Sequence, residues 1–318
     1  MPKKHKVSII GAGNIGSTVA SLLSLDSCFE LAIVDVKGDF AAGKALDISQ
    51  SSGIDGFEPN IAASSDYSVI RNSDVIVVTA GLPRKPGMTR DDLIEINSGI
   101  ISSVAENIKK YSKDSFVIVI TNPLDAMVYL MDKLLGGASQ KVVGMAGVLD
   151  SARFTYFLSQ ALSVSVSDIQ TLVLGGHGDT MVPLVGYTSI AGIPLSHFIK
   201  SGYISEEKLS EIIVRTRNGG AEIVNLLGNG SAFYSPASSA IKMLKSYLYN
   251  ECRVMPCACK LSGEYGVSGL YLGVPCIIGS NGVEKVLEIS LSDSERKMLD
   301  VSIAAVKDLA TIVDSKYN

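Results

Sequence analysis

Short apolar runs recur along the first half of the chain, and each hands over to a stretch in which apolar residues return at helical spacing. Lys6 to Ile10 predicts a strand, Ser17 to Leu25 a helix, Leu31 to Val34 a second strand and Ala41 to Gln50 a second helix. Asn60 to Ala63 and Asp74 to Thr79 add two strands, the latter buried on both faces. From Leu93, the residues Ile96, Ile100, Val104 and Ile108 repeat as they would on one face of a long amphipathic helix. Ser115 to Ile120 and Lys141 to Met145 read as strands, with a helix from Leu124 between them. Strands alternating with helices predict an α/β fold with a parallel, doubly wound sheet, and ligands bind at the carboxyl ends of such strands.

The second half changes character. Helices are predicted from Gly147, over Ser205 to Leu227, and from the Ser231 to Pro236 stretch to Tyr249; strands follow over Val254 to Leu261, Gly269 to Val274 and Cys276 to Ser280. Ser292-Asp-Ser-Glu295 has the form of a capping box, and Leu299, Ile303, Val306, Ala310 and Val313 give the final helix one apolar stripe. The expectation is an α/β domain over 1–146 followed by an α+β domain over 147–318.

Composition narrows the class. A chain of 318 residues exceeds one typical core, and 47% apolar with 19% charged residues describes a globular protein. No uninterrupted apolar stretch is long enough for a membrane span. The net charge of -4, with scattered basic residues, argues against a nucleic-acid partner. Met1-Pro-Lys-Lys-His-Lys6 runs straight into the first strand without an export signal, which makes the cytoplasm the expected location. Five cysteines fit reduced thiols. Cys252, Cys257 and Cys259 lack zinc-knuckle spacing and a nearby fourth ligand, so they read as buried small apolar residues and no metal is expected.

Candidate chemistry lies at the strand ends. Gly11-Ala12-Gly13-Asn14-Ile15-Gly16 follows the first strand directly, and Asp35 ends the second, 19 residues beyond Gly16. That is the spacing of a βαβ dinucleotide-binding unit. Gly11 makes the tight turn, Gly13 lets backbone meet a pyrophosphate at the helix N-terminus, and Gly16 lets the helix pack on the strand. Asp35 suits a ribose and repels a 2'-phosphate, favouring NAD over NADP. Ala80 to Arg90, rich in Pro and Gly and carrying three cations, is either a lid or a solvated basic loop. Asn97 lies on the flank of its helix near the cofactor side. Asn122, before Pro123 at a strand end, is either a turn residue or a group in the ligand crevice. Asp150 and Arg153 share a helix face, either as a simple ion pair or with separate duties in one crevice. His177, between glycines in the Leu172 to Leu184 stretch, is expected to be exposed at a strand end, and its ordinary pKa of about 6.5 suits proton transfer.

Taken together and in order, Gly11 to Gly16, Asp35, the Pro83 to Arg90 loop, Thr121-Asn-Pro123, Leu149 to Arg153 and Gly175 to Asp179 resemble the lactate/malate dehydrogenase family along essentially the whole chain. The resemblance implies a Rossmann domain, NAD as cofactor and a homodimer or homotetramer. It implies His177 as the acid/base, Asp150 as its orienting carboxylate, Arg153 as the fork on the C1 carboxylate, Arg90 as the group polarising the C2 carbonyl, and Asn122 as a substrate-orienting amide. Asn97, Ile120 and Thr121 would line the nicotinamide half. Arg84 stands where the family has Gln for lactate and Arg for malate, so the implied substrate is malate or oxaloacetate. Ser235 departs from the small apolar residue expected near the pocket. A lactate or broader 2-hydroxyacid dehydrogenase is the alternative, and a non-catalytic NAD-binding protein a second one.

Overall fold

The computed structural model describes residues 4–83, 90–137, 139–228 and 230–317. Strand β1 (His5–Ile10) leads into α1 (Asn14–Ser24), then β2 (Phe29–Val34), α2 (Gly38–Asp55), β3 (Ile61–Ser64) and β4 (Val75–Val78). Helix α3 (Arg90–Tyr111), β5 (Phe116–Val119), α4 (Leu124–Leu134) and β6 (Val142–Gly144) complete the first half. These six strands pair in parallel in the order β3-β2-β1-β4-β5-β6. The period-2 geometry of a strand puts Val75 and Val77 in the core on one side and Ile76 and Val78 in the core on the other. Phe116 and Ile118 against Val117 and Val119 do the same, which is why these strands are apolar without alternation.

Helix α5 (Gly147–Leu162) opens the second half, followed by the short strands β7 (Ile169–Gln170), β8 (Val173–Leu174), β9 (Val182–Pro183), β10 (Ser189–Ile190) and β11 (Ile193–Pro194). Then come α6 (Leu195–Lys200), α7 (Glu206–Leu227), α8 (Tyr234–Leu248), β12 (Arg253–Ser262), β13 (Ser268–Gly279), β14 (Gly282–Val286) and α9 (Asp293–Lys316). The second half is thus a mixture of helices and antiparallel strands. What the periodicity does not reveal is that β12, β13 and β14 extend the first sheet: Ala258 pairs antiparallel with Gly144, giving a sheet of nine strands among the described residues.

Several boundaries differ from expectation. Helix α2 runs to Asp55 rather than Gln50, ending on Gly56 in the left-handed region. The two strands expected on either side of Pro275 are one strand, β13. Pro275 sits opposite Pro256 in the ladder, and its carbonyl accepts from Leu287 N–H on the far side. The two prolines therefore form a pair that exchanges no hydrogen bonds, and the ladder loses nothing. Cys257 and Cys259 lie within β12, buried in the core.

Two features of this half position the site. The β8–β9 hairpin is fastened to β13 where Gly175 N–H donates to Gly273 O at 2.8 Å. A Cβ on Gly273 would lie 2.3 Å from the Gly175 carbonyl oxygen, so the contact requires glycine. Helix α9 packs against α4, β9 and β13 through Leu299, Val306, Ala310 and Val313, all buried, with Ile303 half-buried. Its start is the expected capping box: Ser292 Oγ accepts from Glu295 N–H, and the Glu295 carboxylate accepts from Ser292 N–H at 2.9 Å. Ser292→Ala removes one half of that box and is expected to lower stability by about 1 kcal/mol; chemical denaturation followed by circular dichroism reads the shift in midpoint.

Candidate active site

The order of the parallel strands reverses between β1 and β4, and a cleft of about 610 Å³ opens there at the carboxyl ends of the strands. Gly11, at φ +106°, turns the chain out of β1. A Cβ on Gly16 would sit 1.9 Å from Gly11 O, so α1 is pressed onto the turn, whereas the space above Gly13 is open to the cleft. Gly13 is the N-cap of α1 and offers no side chain, and the first turn carries no acidic residue, which leaves its N–H groups for an anion. Asp35 braces the turn: Oδ2 accepts from Ala12 N–H at 2.9 Å and Oδ1 from Lys37 N–H at 3.0 Å. Each oxygen keeps a further lone pair. Asn14 is exposed on α1, and Ile15 packs against the core.

The cleft walls are only partly those expected. Helix α3 carries two apolar faces: Ile94, Ile101, Val104, Ala105 and Ile108 are buried, while Ile96 and Ile100 turn toward the cleft with Gly99 and Ser103. Asn97 sits between them, fully buried, and its amide is occupied by backbone. Its Oδ1 accepts from Leu82 N–H at 2.8 Å; its Nδ2 donates to Leu82 O at 3.1 Å and to Asn122 O at 2.6 Å. Asn97 thus ties the segment after β4 to the turn after β5. Thr121 reinforces the tie by donating to Ala80 O at 2.6 Å, and Ile120 is buried beside it. Val36, Lys37, Phe40, Tyr67 and Thr79 also line the cleft and were not singled out. The one available signal was Val36, an apolar residue directly after Asp35, which is 90% exposed.

A second group of residues gathers at the β8–β9 hairpin. His177 is not exposed as expected: its side chain is 15% accessible, because the hairpin folds it down onto α5 and α4. Its Nδ1 lies 2.9 Å from Asp150 Oδ2. Asp150 Oδ1 accepts from Arg153 Nη1 at 3.2 Å, so the aspartate pairs with the arginine on its own helix and also grips the imidazole. Arg153 Nε is buried without a partner among the described residues, and the side chain passes over Gly219 of α7, where a Cβ would come within 3.1 Å. Asn122 is exposed at the head of α4, joined to Pro123 by a cis peptide bond. Ser235 is exposed in the first turn of α8. Arg84 and the Arg90 side chain lie outside the described residues.

Burial pulls the His177 imidazole toward neutrality, but the charge and hydrogen bond of Asp150, aided by Asp125, outweigh it and raise its pKa above the ordinary value in spite of Arg153. Asp125 is the residue that sequence reasoning missed. Fully buried on the first turn of α4, it accepts from His177 N–H at 2.9 Å, and burial pushes its carboxyl up to about 6 against the pull of His177. One residue earlier, Gly176 N–H donates to Ser302 Oγ of α9 at 2.8 Å. Nothing in the sequence around Asp125 marks it, since both contacts are made far along the chain.

Known proteins share this arrangement of chain. Residues 5–144 match the lactate/malate dehydrogenase NAD binding domain, and residues 147–315 the lactate/malate dehydrogenase alpha/beta C-terminal domain. The chain is 52% identical over 306 residues to a malate dehydrogenase of Methylobacterium radiotolerans, covering 96% of each. It superposes on the malate dehydrogenase of Cryptosporidium parvum with a TM-score of 0.95 at 46% identity, over 98% of this chain and 99% of the other. The lactate dehydrogenase of the same organism, crystallised with lactic acid and nicotinamide adenine dinucleotide, gives 0.95 at 42% identity over 99% of each. The glycine turn can be tested against the cofactor: Gly16→Ala forces α1 off the turn, and NADH titration by fluorescence is expected to show at least about tenfold weaker binding, a loss of ~1.4 kcal/mol.

Proposed function

The chain belongs to the lactate/malate dehydrogenase family, and from that footing we propose that it is an NAD-dependent malate dehydrogenase, interconverting (S)-malate and oxaloacetate. The observation that carries the chemistry is the division of Asp150 between His177 Nδ1 and Arg153 Nη1, which holds an imidazole and a guanidinium side by side. The turn from Gly11 to Gly16 and Asp35 would hold NAD, which would supply the hydride acceptor for C2 of malate or, as NADH, the hydride donor for oxaloacetate.

The residues do the rest. Asp150 occupies Nδ1 of His177, so Nε2 is the nitrogen that exchanges a proton with the C2 oxygen. In oxidation the neutral ring takes the hydroxyl proton, and Asp150 stabilises the imidazolium; in reduction the imidazolium gives the proton to the carbonyl. Arg153, anchored through one Nη, presents its remaining N–H groups to the C1 carboxylate in a planar fork. Asn122 orients the substrate and Arg90 polarises the C2 carbonyl. Ile120 and Thr121 would line the nicotinamide half with Asn97, which also ties the backbone of Leu82 to that of Asn122.

Arg84 selects the four-carbon substrate. The C4 carboxylate of oxaloacetate pairs with it, whereas the methyl of pyruvate leaves a desolvated cation alone, at a cost of ~3 to 5 kcal/mol. We further propose residues 1–146 as the cofactor domain and 147–318 as the substrate domain, a homodimer or homotetramer as the working form, and the cytoplasm as its location. Leu46 and Ile54 on α2 and Leu226 and Leu227 on α7 leave apolar surface exposed for subunit contact. Among the described residues no helix is long and apolar enough to cross a membrane.

Two measurements test this reading. The kcat/KM ratio of oxaloacetate to pyruvate with NADH is expected to favour oxaloacetate and to fall by about two orders of magnitude in Arg84→Gln; an unchanged ratio removes Arg84 from specificity. The pH profile follows from the raised His177 pKa. Reduction needs the protonated ring, so its kcat/KM falls as pH rises through a value above 6.5, and malate oxidation falls as pH drops through the same value. A reduction profile that breaks below 6.5 contradicts the assignment.

A further inference from the structure

The His177 backbone is held by two side chains from outside its hairpin. Ser302 of α9 accepts from Gly176 N–H, and Asp125 of α4 accepts from His177 N–H. A hydroxyl suffices for the first bond, and an amide oxygen would suffice for the second. A carboxylate is the expensive choice there: Asp125 is 4% exposed, and its Oδ1 is buried without a partner among the described residues. Accepting one backbone N–H does not require a charge, so the charge matters to what surrounds it.

Resting on the dehydrogenase reading above, we propose that Asp125 is a positioning residue for His177. It clamps the backbone of the histidine, and as a second carboxylate beside Asp150 it raises the pH at which the imidazole releases its proton.

Among the described residues, Asp150 and Arg153 face the pair from α5, His177 itself comes from the hairpin, and α9 brings the neutral Ser302. Asp125 and Asp150 both favour the imidazolium, and Arg153 opposes it. The influence is mutual: the imidazolium lowers the Asp125 carboxyl, while burial and Asp150 raise it. His177 and Asp125 are therefore linked, and loss of the His177 proton makes Asp125 a stronger proton acceptor. Asp125 is also two residues from Pro123 on the turn that carries Asn122, so the element that presents the substrate-orienting amide also holds the histidine.

Asp125→Asn separates the two duties, because Asn Oδ1 accepts from His177 N–H while the charge is gone. The reduction limb of the kcat/KM profile for oxaloacetate is expected to move to lower pH by about half to one unit, so that above the wild-type midpoint the variant is roughly three- to tenfold slower. NADH affinity, read by fluorescence, is expected to stay at the wild-type value. Asp125→Ala removes the clamp as well, and kcat is expected to fall at every pH on top of the same shift. If Asp125→Asn binds NADH, turns over and keeps the wild-type profile, the electrostatic role is overturned. A second readout needs no variant to fold: the carboxyl of Asp125 in the wild-type protein, followed by carbon NMR with labelled aspartate, is expected to titrate near 6 and to be ionised where His177 releases its proton, and a carboxyl still protonated across the His177 titration overturns the proposal. Absence of oxaloacetate turnover in the wild type sinks the dehydrogenase reading instead, which the same assay reveals before any variant is made.

Discussion

A carboxylate has two oxygens, and Asp150 divides them between a titrating ring and a permanent cation. Oδ2 meets His177 Nδ1 at 2.9 Å and Oδ1 meets Arg153 Nη1 at 3.2 Å, with the aspartate side chain only 2% accessible. Removing such a charge from water is costly unless every lone pair finds a donor. Here the two donors are His177 and Arg153, so the requirement that satisfies the buried charge also fixes the distance between imidazole and guanidinium. The helix spacing of three residues sets one contact, and the hairpin sets the other.

Holding the hairpin at the correct height falls to backbone rather than side chains. Gly175 and Gly273 approach so closely that neither the ladder bond nor the turn tolerates a Cβ, and Gly175 adopts φ +89°. Gly16 plays the corresponding part at the cofactor end, where α1 rests on the Gly11 carbonyl. At the turn after β1 and at the hairpin alike, then, glycine allows close approach, and an aspartate, Asp35 or Asp125, accepts a backbone N–H of the turn.

The parts legible in the sequence are those whose physics is local. The strand–glycine–helix unit, the capping box at Ser292 and the apolar stripe of α9 each depend on residues within a few turns of one another, and each stands where its pattern places it. The parts that were not legible depend on contacts across the chain. Periodicity cannot distinguish the core face of α3 from the cleft face, because both are apolar; hence Ile96 and Ile100 were grouped with Val104 and Ile108. Asn97 looked available and is wholly engaged with Leu82 and Asn122. Pro275 looked like a strand break and is harmless to the β12–β13 ladder because it sits at a pair that exchanges no hydrogen bonds. Asp125 has no neighbour in sequence that hints at His177.

Chain order adds a consequence for assembly. Ser302, which holds the Gly176 N–H, lies 126 positions further along, and the strand that fastens the hairpin is completed only at Gly279. The first six strands form a parallel sheet whose every partner is already synthesised by residue 144, and the nucleotide end can take shape on the ribosome. The histidine cannot be seated until nearly the whole chain has emerged, because long-range closure must come before its contacts form. The glycine turn after β1 and the seat of His177 are therefore completed at different moments in the life of each molecule.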